Sequence, residues 1–124
     1  MTLKIKKALY IIFLCLCFGL LITNVYPLDV NNIKAYPVPF NPNKHDSLKI
    51  DGFPADTNKI KMVIMDINGD SVFTREYSSS ATIIWNGRNG NGRTAKPGLY
   101  IIKLTVETSS GDYGKKIIRI LING

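Results

Sequence analysis

From Asp29 onward the sequence predicts a small all-β sandwich. Apolar and polar residues alternate at period two in run after run, and turn-forming residues interrupt those runs roughly every 8–12 residues. No helical period follows residue 28.

The first extended stretch is "IKAYPVPF" (33–40). Its prolines cannot donate to a central ladder, so it suits an edge or a segment that switches sheets. "SLKIDG" (47–52) sets Leu48 and Ile50 on one face and Lys49 and Asp51 on the other. "KIKMVIMDI" (59–67) aligns Ile60, Met62 and Ile64 against Lys59, Lys61 and Val63. Asn68-Gly69 marks a tight hairpin, from which "SVFTREY" (71–77) returns. "ATIIW" (81–85) follows a serine-rich turn. "GLYIIKLTVE" (98–107) alternates most cleanly, with Tyr100, Ile102, Leu104 and Val106 on one face. "KKIIRILI" (115–122) closes the chain with Ile118, Ile120 and Ile122 in line. About seven strands with such spacing form an immunoglobulin-like or fibronectin-like sandwich. Trp85, Tyr100, Phe53 and Phe73 offer its core large apolar areas.

The N-terminus has a different character. Lys4, Lys6 and Lys7 precede the unbroken apolar run Ala8 to Ile22, and no acidic residue occurs before Asp29. That run is short for a membrane span, which needs about 20 residues, and right for a secretory leader. Residues 1–28 are read as a signal peptide and 29–124 as the sandwich domain. Residues 23–27, "TNVYP", contain no good small-x-small cleavage pair, so an uncleaved anchor running on through Val25 stays open. A lipid-modified Cys17 is disfavoured by the bulky Leu14 and Leu16 before it. Both cysteines, Cys15 and Cys17, lie in the apolar run, which leaves the exported part with no disulfide, thiolate metal site or cysteine nucleophile. Export without disulfides points to a bacterial envelope: periplasm, outer-membrane surface or medium, or the inner membrane if the anchor is kept.

The net charge of +7 includes the three leader lysines. From Asp29 onward thirteen basic residues face nine acidic ones, and the basic residues are scattered along the strands. Such scattering reads as a solvated surface rather than a polyanion site. The strand aromatics fall mostly on core faces, so no stacking platform for nucleic acid is expected.

The stretch most suggestive of chemistry is "WNGRNGNGRTAKPGLYIIKL" (85–104). Gly90 to Ala95 satisfies the G-x-G-x-x-A form of the dinucleotide fingerprint, with Arg88, Arg93 and Lys96 nearby. That fingerprint needs a strand running straight into the glycines and a helix starting on them. Here the strand ends at Trp85, and Pro97-Gly98 leads into another strand, so the glycines read as loop geometry. Asp66, Asn68 and Asp70 have the 1-3-5 spacing of a calcium loop, but Ser71 and Tyr77 stand where that loop wants glycine and glutamate. Asn86, Asn89 and Asn91 carry no charge for a hard cation. His45, the only histidine, is expected in an exposed polar loop, and neither it nor Glu76 and Glu107 forms a catalytic constellation. No catalytic residue, cofactor or metal is expected.

Several segments in fixed order resemble one family. "YPVPFNP" (36–42) is similar to the proline-rich opening of FlgD-type immunoglobulin-like domains and the related C-terminal sorting domains of type IX secretion cargo. "KIKMVIMDINGDSVFT" (59–74) resembles their central hairpin, "WNGRNGNGRTAKPGLYIIKL" their tryptophan-to-tyrosine loop, and "KKIIRIL" their closing strand. The positions that carry the resemblance are Pro37, Pro39, Phe40, Asn41, Pro42, Asp66, Gly69, Trp85, Gly87, Gly92, Gly98 and Tyr100. Val38, Met65 and Asn86 depart from the usual asparagine, tyrosine and aspartate. The resemblance implies that Trp85 ends a strand with its ring in the core, that Gly92 takes a left-handed conformation, and that Tyr100 ties its hydroxyl to nearby backbone.

The resemblance also implies an accessory rather than an enzyme. The leading expectation is an exported, non-catalytic module making protein–protein contacts in envelope assembly or adhesion, its partner an unidentified envelope or surface protein. It touches membrane only through the N-terminal segment if that is kept. The alternatives are a type IX-like sorting domain separated from its cargo, and a surface glycan-binding module. Strand addition at the proline-rich segment or at 115–122 is a route to a partner. Because Ile118, Ile120 and Ile122 pattern as core, deleting residues 115–124 is expected to unfold the domain. A cooperative unfolding transition retained by the truncated chain would contradict that.

Overall fold

The alternating runs become seven strands: β1 (Lys34–Tyr36), β2 (Leu48–Asp51), β3 (Thr57–Asp66), β4 (Ser71–Ser78), β5 (Thr82–Trp85), β6 (Gly98–Thr108) and β7 (Tyr113–Ile122). The computed structural model describes residues 28–78 and 81–124; the leader reading falls outside these residues. Among the described residues no helix is long and apolar enough to cross a membrane.

The strands form a three-stranded sheet in the order β1-β2-β5 and a four-stranded sheet in the order β4-β3-β6-β7. Every neighbouring pair is antiparallel. This is an immunoglobulin-like or fibronectin-like sandwich. Alternation decides the facing: Ile60, Met62 and Ile64 of β3 are fully buried, as are Ile102, Leu104 and Val106 of β6 beside them. Leu48 and Ile50 of β2, Ile83 and Trp85 of β5, and Ile120 and Ile122 of β7 complete the inner faces. Tyr100 is buried with them, whereas Phe53 and Phe73 pack against this core only half-buried. Ile118 likewise lies at its margin.

The proline-rich segment does both things its composition allows. β1 is the short outer strand of the three-stranded sheet. The chain then passes through Pro37 and Pro39, both after cis peptide bonds, and reaches β7 of the opposite sheet. There the Phe40 N–H donates to the Leu121 carbonyl at 2.8 Å, and the Asn123 N–H donates to the Phe40 carbonyl at 2.9 Å, forming one parallel rung. Phe40 itself is completely buried. At the other end of β7, a Cβ on Gly114 would come within 2.6 Å of Val30 Cγ1, so glycine there admits residues 28–30 against the strand.

One buried polar atom stands out. The Thr57 hydroxyl, at the start of β3, has no hydrogen-bond partner among the described residues. A buried hydroxyl without a partner costs about 1–3 kcal/mol, and an isosteric apolar replacement removes that cost. Thr57→Val is therefore expected to raise stability by about 1 kcal/mol; a lower urea midpoint would show that the hydroxyl is useful.

Candidate functional site

Trp85 ends β5 with its ring in the core, and everything that follows it up to β6 is organised by hydrogen bonds the loop makes to itself. The indole N–H donates to the Arg88 carbonyl at 2.8 Å. The Asn86 side-chain carbonyl accepts the Arg88 N–H at 3.0 Å, and the Arg88 guanidinium donates to the Gly92 carbonyl at 3.1 Å. At the loop's exit the Ala95 N–H returns to the Gly87 carbonyl at 2.8 Å.

The fingerprint glycines sit within this network. Asn89 Oδ1 accepts the N–H groups of Asn91 and Arg93 at 3.0 and 2.9 Å. The Gly92 N–H donates to the Asn89 carbonyl and the Gly90 N–H to the Val72 carbonyl on β4, both at 3.0 Å. Four successive amides that a phosphate would need are thus already committed. A strand, β6, and not a helix follows these glycines. The bonding pattern adds that the donors are spent.

The same five-residue turn recurs twice. In Asp66–Asp70, the carboxylate of Asp66 accepts the N–H of Asn68 at 2.9 Å and of Asp70 at 3.0 Å. The Asp66 N–H donates to the Asp70 carbonyl and the Gly69 N–H to the Asp66 carbonyl, both at 3.0 Å. In Thr108–Asp112, the Thr108 hydroxyl accepts the Asp112 N–H at 3.1 Å, with the matching bonds Thr108 N–H to Asp112 carbonyl and Gly111 N–H to Thr108 carbonyl at 3.0 Å. In all three the fourth residue is a glycine with φ of +80° to +91°: Gly69, Gly92 and Gly111. This is the three-residue hairpin loop closed by a left-handed glycine. It explains the calcium-like spacing: Asp66, Asn68 and Asp70 are turn positions, and Asp66 Oδ1 accepts two backbone N–H groups. Among the described residues no group of three His, Cys, Asp or Glu side chains gathers. The repeat was legible as an acceptor side chain followed three residues later by glycine.

The proline-rich segment meets this loop from the side. Phe40 lies 6.2 Å from Trp85 between ring centroids, and Phe73 lies 6.4 Å from it. Asn41 opens a turn in which its carbonyl accepts the N–H groups of Lys44 and His45, and its side chain accepts the Asn43 N–H at 2.9 Å. His45 is not in an exposed loop as the sequence suggests. It is half-buried, stacked on Phe40 at 6.0 Å, and its Nδ1 accepts the Asn41 N–H at 2.9 Å. That is a structural histidine, placed by the turn that Asn41 starts. Gly87 is where the two segments touch: its φ is +79°, and an added Cβ would lie 2.8 Å from the Phe40 ring and 3.0 Å from Pro42.

Tyr100 faces the same loop from β6. Its hydroxyl donates to the Lys96 carbonyl at 2.7 Å, tying the loop's exit to the strand that follows, and Gly98 opens that strand opposite Ile122. Burial, then the Asp66 carboxylate, raise the Tyr100 pKa above the ordinary phenol value of 10.0. An open depression of about 510 Å³ lies beside it, lined by Val72, Asn89, Asn91, Arg93, Lys96 and Tyr100. Glu76 and Glu107, which the sequence leaves apart, line another open depression with Lys59 and Lys61, and Glu76 is paired with Lys59 at 3.9 Å. Neither hollow encloses a reacting centre.

Some of the residues singled out by sequence meet at one end of the sandwich. Phe40 lies beside Trp85, Phe40 and Pro42 close on Gly87, and Tyr100 holds the loop's exit through the Lys96 carbonyl. Asp66 and Gly69 build the neighbouring hairpin, with Asp66 registered opposite Tyr100. Together they define an immunoglobulin-like β-sandwich whose loops are braced from within.

No family profile matches the chain, and neither does any curated protein. Solved structures do. The chain is similar to PorZ, an essential bacterial surface component of the type-IX secretion system of Porphyromonas gingivalis, with 24% identity and a TM-score of 0.57 over 77% of this chain and 12% of that one. It is similar to dimeric latent PorU from the same organism, with 15% identity and a TM-score of 0.56 over 73% and 9% of the two chains. FlgD from Xanthomonas campestris, a protein of flagellar hook capping, gives 22% identity and 0.49 over 72% and 63%. The chain spans about an eighth of PorZ and less than a tenth of PorU. At these identities the likeness is one of fold.

Two stability measurements test this geometry. Gly87→Ala should cost about 3 kcal/mol, from left-handed strain and overpacking on Phe40. Gly90, whose φ is not positive and whose added Cβ would meet nothing within 4 Å, should tolerate alanine within about 0.5 kcal/mol. Equal losses would contradict it. Tyr100→Phe should lose about 1 kcal/mol at neutral pH. Because the folded phenol holds its proton more tightly than the unfolded one, the stabilisation is complete below pH 10.0 and is lost as pH rises through the raised pKa. The gap between wild type and Tyr100→Phe should therefore narrow above pH 10.0 in urea titrations; a gap that widens there would be the wrong sign.

Proposed function

We propose that the chain is an exported, non-catalytic immunoglobulin-like module that works through protein–protein contacts at the bacterial envelope, in assembly or adhesion. The likeness of its sandwich to part of PorZ, a bacterial surface component, carries this reading. The internal bracing of the loops supports it: side chains and amides that would recognise a small molecule serve turns instead. The basic and apolar leader supports export. Recognition then falls to backbone edges and to exposed strand faces.

A second reading is a type IX-like sorting domain separated from its cargo. The small share of PorZ and PorU that the sandwich matches favours it, since there the same fold is one piece of a much longer chain.

In-cell cross-linking in the source organism, followed by mass spectrometry, should join the chain to a defined envelope protein. Cross-links confined to cytoplasmic proteins would refute the reading. The mature protein should have an intact mass below 13.8 kDa; full mass in the inner membrane would mean that the leader is kept as an anchor. Residues 29–124 placed behind a reporter distinguish the second reading. Surface delivery that requires a type IX system would establish sorting, and delivery independent of it would exclude sorting.

A further inference from the structure

The rung made by Phe40 fixes which backbone groups of β7 point away from its own sheet. Leu121 offers its carbonyl and Asn123 its N–H to Phe40, so at period two the N–H and C=O of Lys115, Ile117 and Arg119 also point outward. None of these groups has a hydrogen-bond partner among the described residues. The open part of the edge is bounded, and β1 of the opposite sheet approaches β7 without pairing to it. Phe40 closes it at the Leu121 end, and Leu28 and Val30 pack at Gly114 at the other.

The other edges are managed differently. β1 has three residues and runs into prolines, and β5 has four. On β4 the Val72 carbonyl is taken by Gly90, and the strand carries both signs of charge, with Glu76 paired to Lys59. β7 alone combines length, open rungs and a single sign of charge: Lys115, Lys116 and Arg119 and no acid. Its outer face reads Tyr113, Lys115, Ile117, Arg119, Leu121, with Ile117 61% exposed and Tyr113 63% exposed. Lys103, opposite Ile117 on β6, adds a further positive charge to that face.

We propose that the β7 edge between Gly114 and Leu121 is a strand-addition site for an extended acidic segment of a partner protein. Opposite-charge pairs directly across a ladder are favourable and like pairs are not. The segment that fits best carries acids opposite Lys115 and Arg119 and a β-branched residue opposite Ile117. That pattern, acid-x-apolar-x-acid, reads the same in either strand direction. Main-chain bonds would supply affinity and the alternating side chains specificity. This inference rests on the protein-contact reading above and names the surface that makes the contact.

The test uses the full-length chain and two synthetic peptides, one with the core Glu-Thr-Val-Thr-Glu and one with Lys-Thr-Val-Thr-Lys. With the acidic peptide, amide hydrogen exchange at Lys115, Ile117 and Arg119 should slow at least tenfold, and the basic peptide should leave it unchanged. Lys115→Glu with Arg119→Glu should reverse the preference. Ile117→Pro removes one outward N–H while leaving the inward ladder to β6 intact, and should abolish binding with the unfolding transition retained. The acidic peptide binding without edge protection would overturn the proposal, because the contact would then be the charged face alone. Edge protection in the peptide-free chain that grows with protein concentration would also overturn it, since the occupant would be a second copy. If Ile117→Pro still cross-links to the wild-type envelope partner, the edge is wrong and the protein-contact reading stands. If wild type cross-links to no envelope protein, that broader reading fails first.

Discussion

The contact on which the rest depends is Phe40 against the opposite sheet. A sandwich of three and four strands is held mainly by non-directional apolar burial, which fixes neither the alignment of the sheets nor the closure of their open side. Phe40 supplies both in one residue. Its backbone bonds Leu121 and Asn123 on β7, and its ring is completely buried against Trp85 from β5. The segment that leaves one sheet at Tyr36 is thereby tied to the other four residues later. Gly87 and His45 are consequences of that placement: the glycine makes room for the ring, and the histidine stacks on it.

The second organising element is economy in the turns. Asp66, Asn89 and Thr108 differ in charge and in chemistry, yet the side chain of each accepts the N–H of the fifth residue at the head of the same kind of loop, with a left-handed glycine at the fourth position. A carboxylate, an amide and a hydroxyl can substitute for one another there because the turn asks only for a short acceptor. That is why the chain mimics a nucleotide fingerprint at one hairpin and a calcium loop at another. Both resemblances come from requirements of chain reversal: the amides of Gly90 to Arg93 and the Asp66 Oδ1 atom are engaged in turn hydrogen bonds.

Most of the fold was legible because strand alternation reports facing directly. Ile60, Met62 and Ile64, then Tyr100, Ile102, Leu104 and Val106, are apolar at period two and buried at period two. Trp85 and Tyr100 were legible through their position next to glycine-rich punctuation. The environment of His45 was not, because its partner amide belongs to Asn41 and its covering ring to Phe40, and a polar stretch such as "NPNKHDS" gives no period from which burial follows. Phe53 and Phe73 were read as core and sit at its margin, since an aromatic in a short run shows only that it can be buried. Strand order was invisible for a more basic reason. Neither sequence spacing nor alternation says which strand stands at an edge, and β7, patterned as internal by its three isoleucines, is both core on one face and outermost in its sheet.

That double character of β7 connects stability to function. Deleting the strand removes Ile120 and Ile122 from the core, so its loss is a folding defect whatever it binds. Its lateral groups are another matter, because outward amides at Lys115, Ile117 and Arg119 contribute nothing to the ladder with β6. Positive charge on an edge normally guards against edge-to-edge association. A guard of one sign discriminates: it repels another copy's equally basic edge wherever the charges oppose, and it leaves an acidic strand favoured. The same lysines and arginine that disfavour an equally basic edge therefore define the chemistry of the strand proposed to add there.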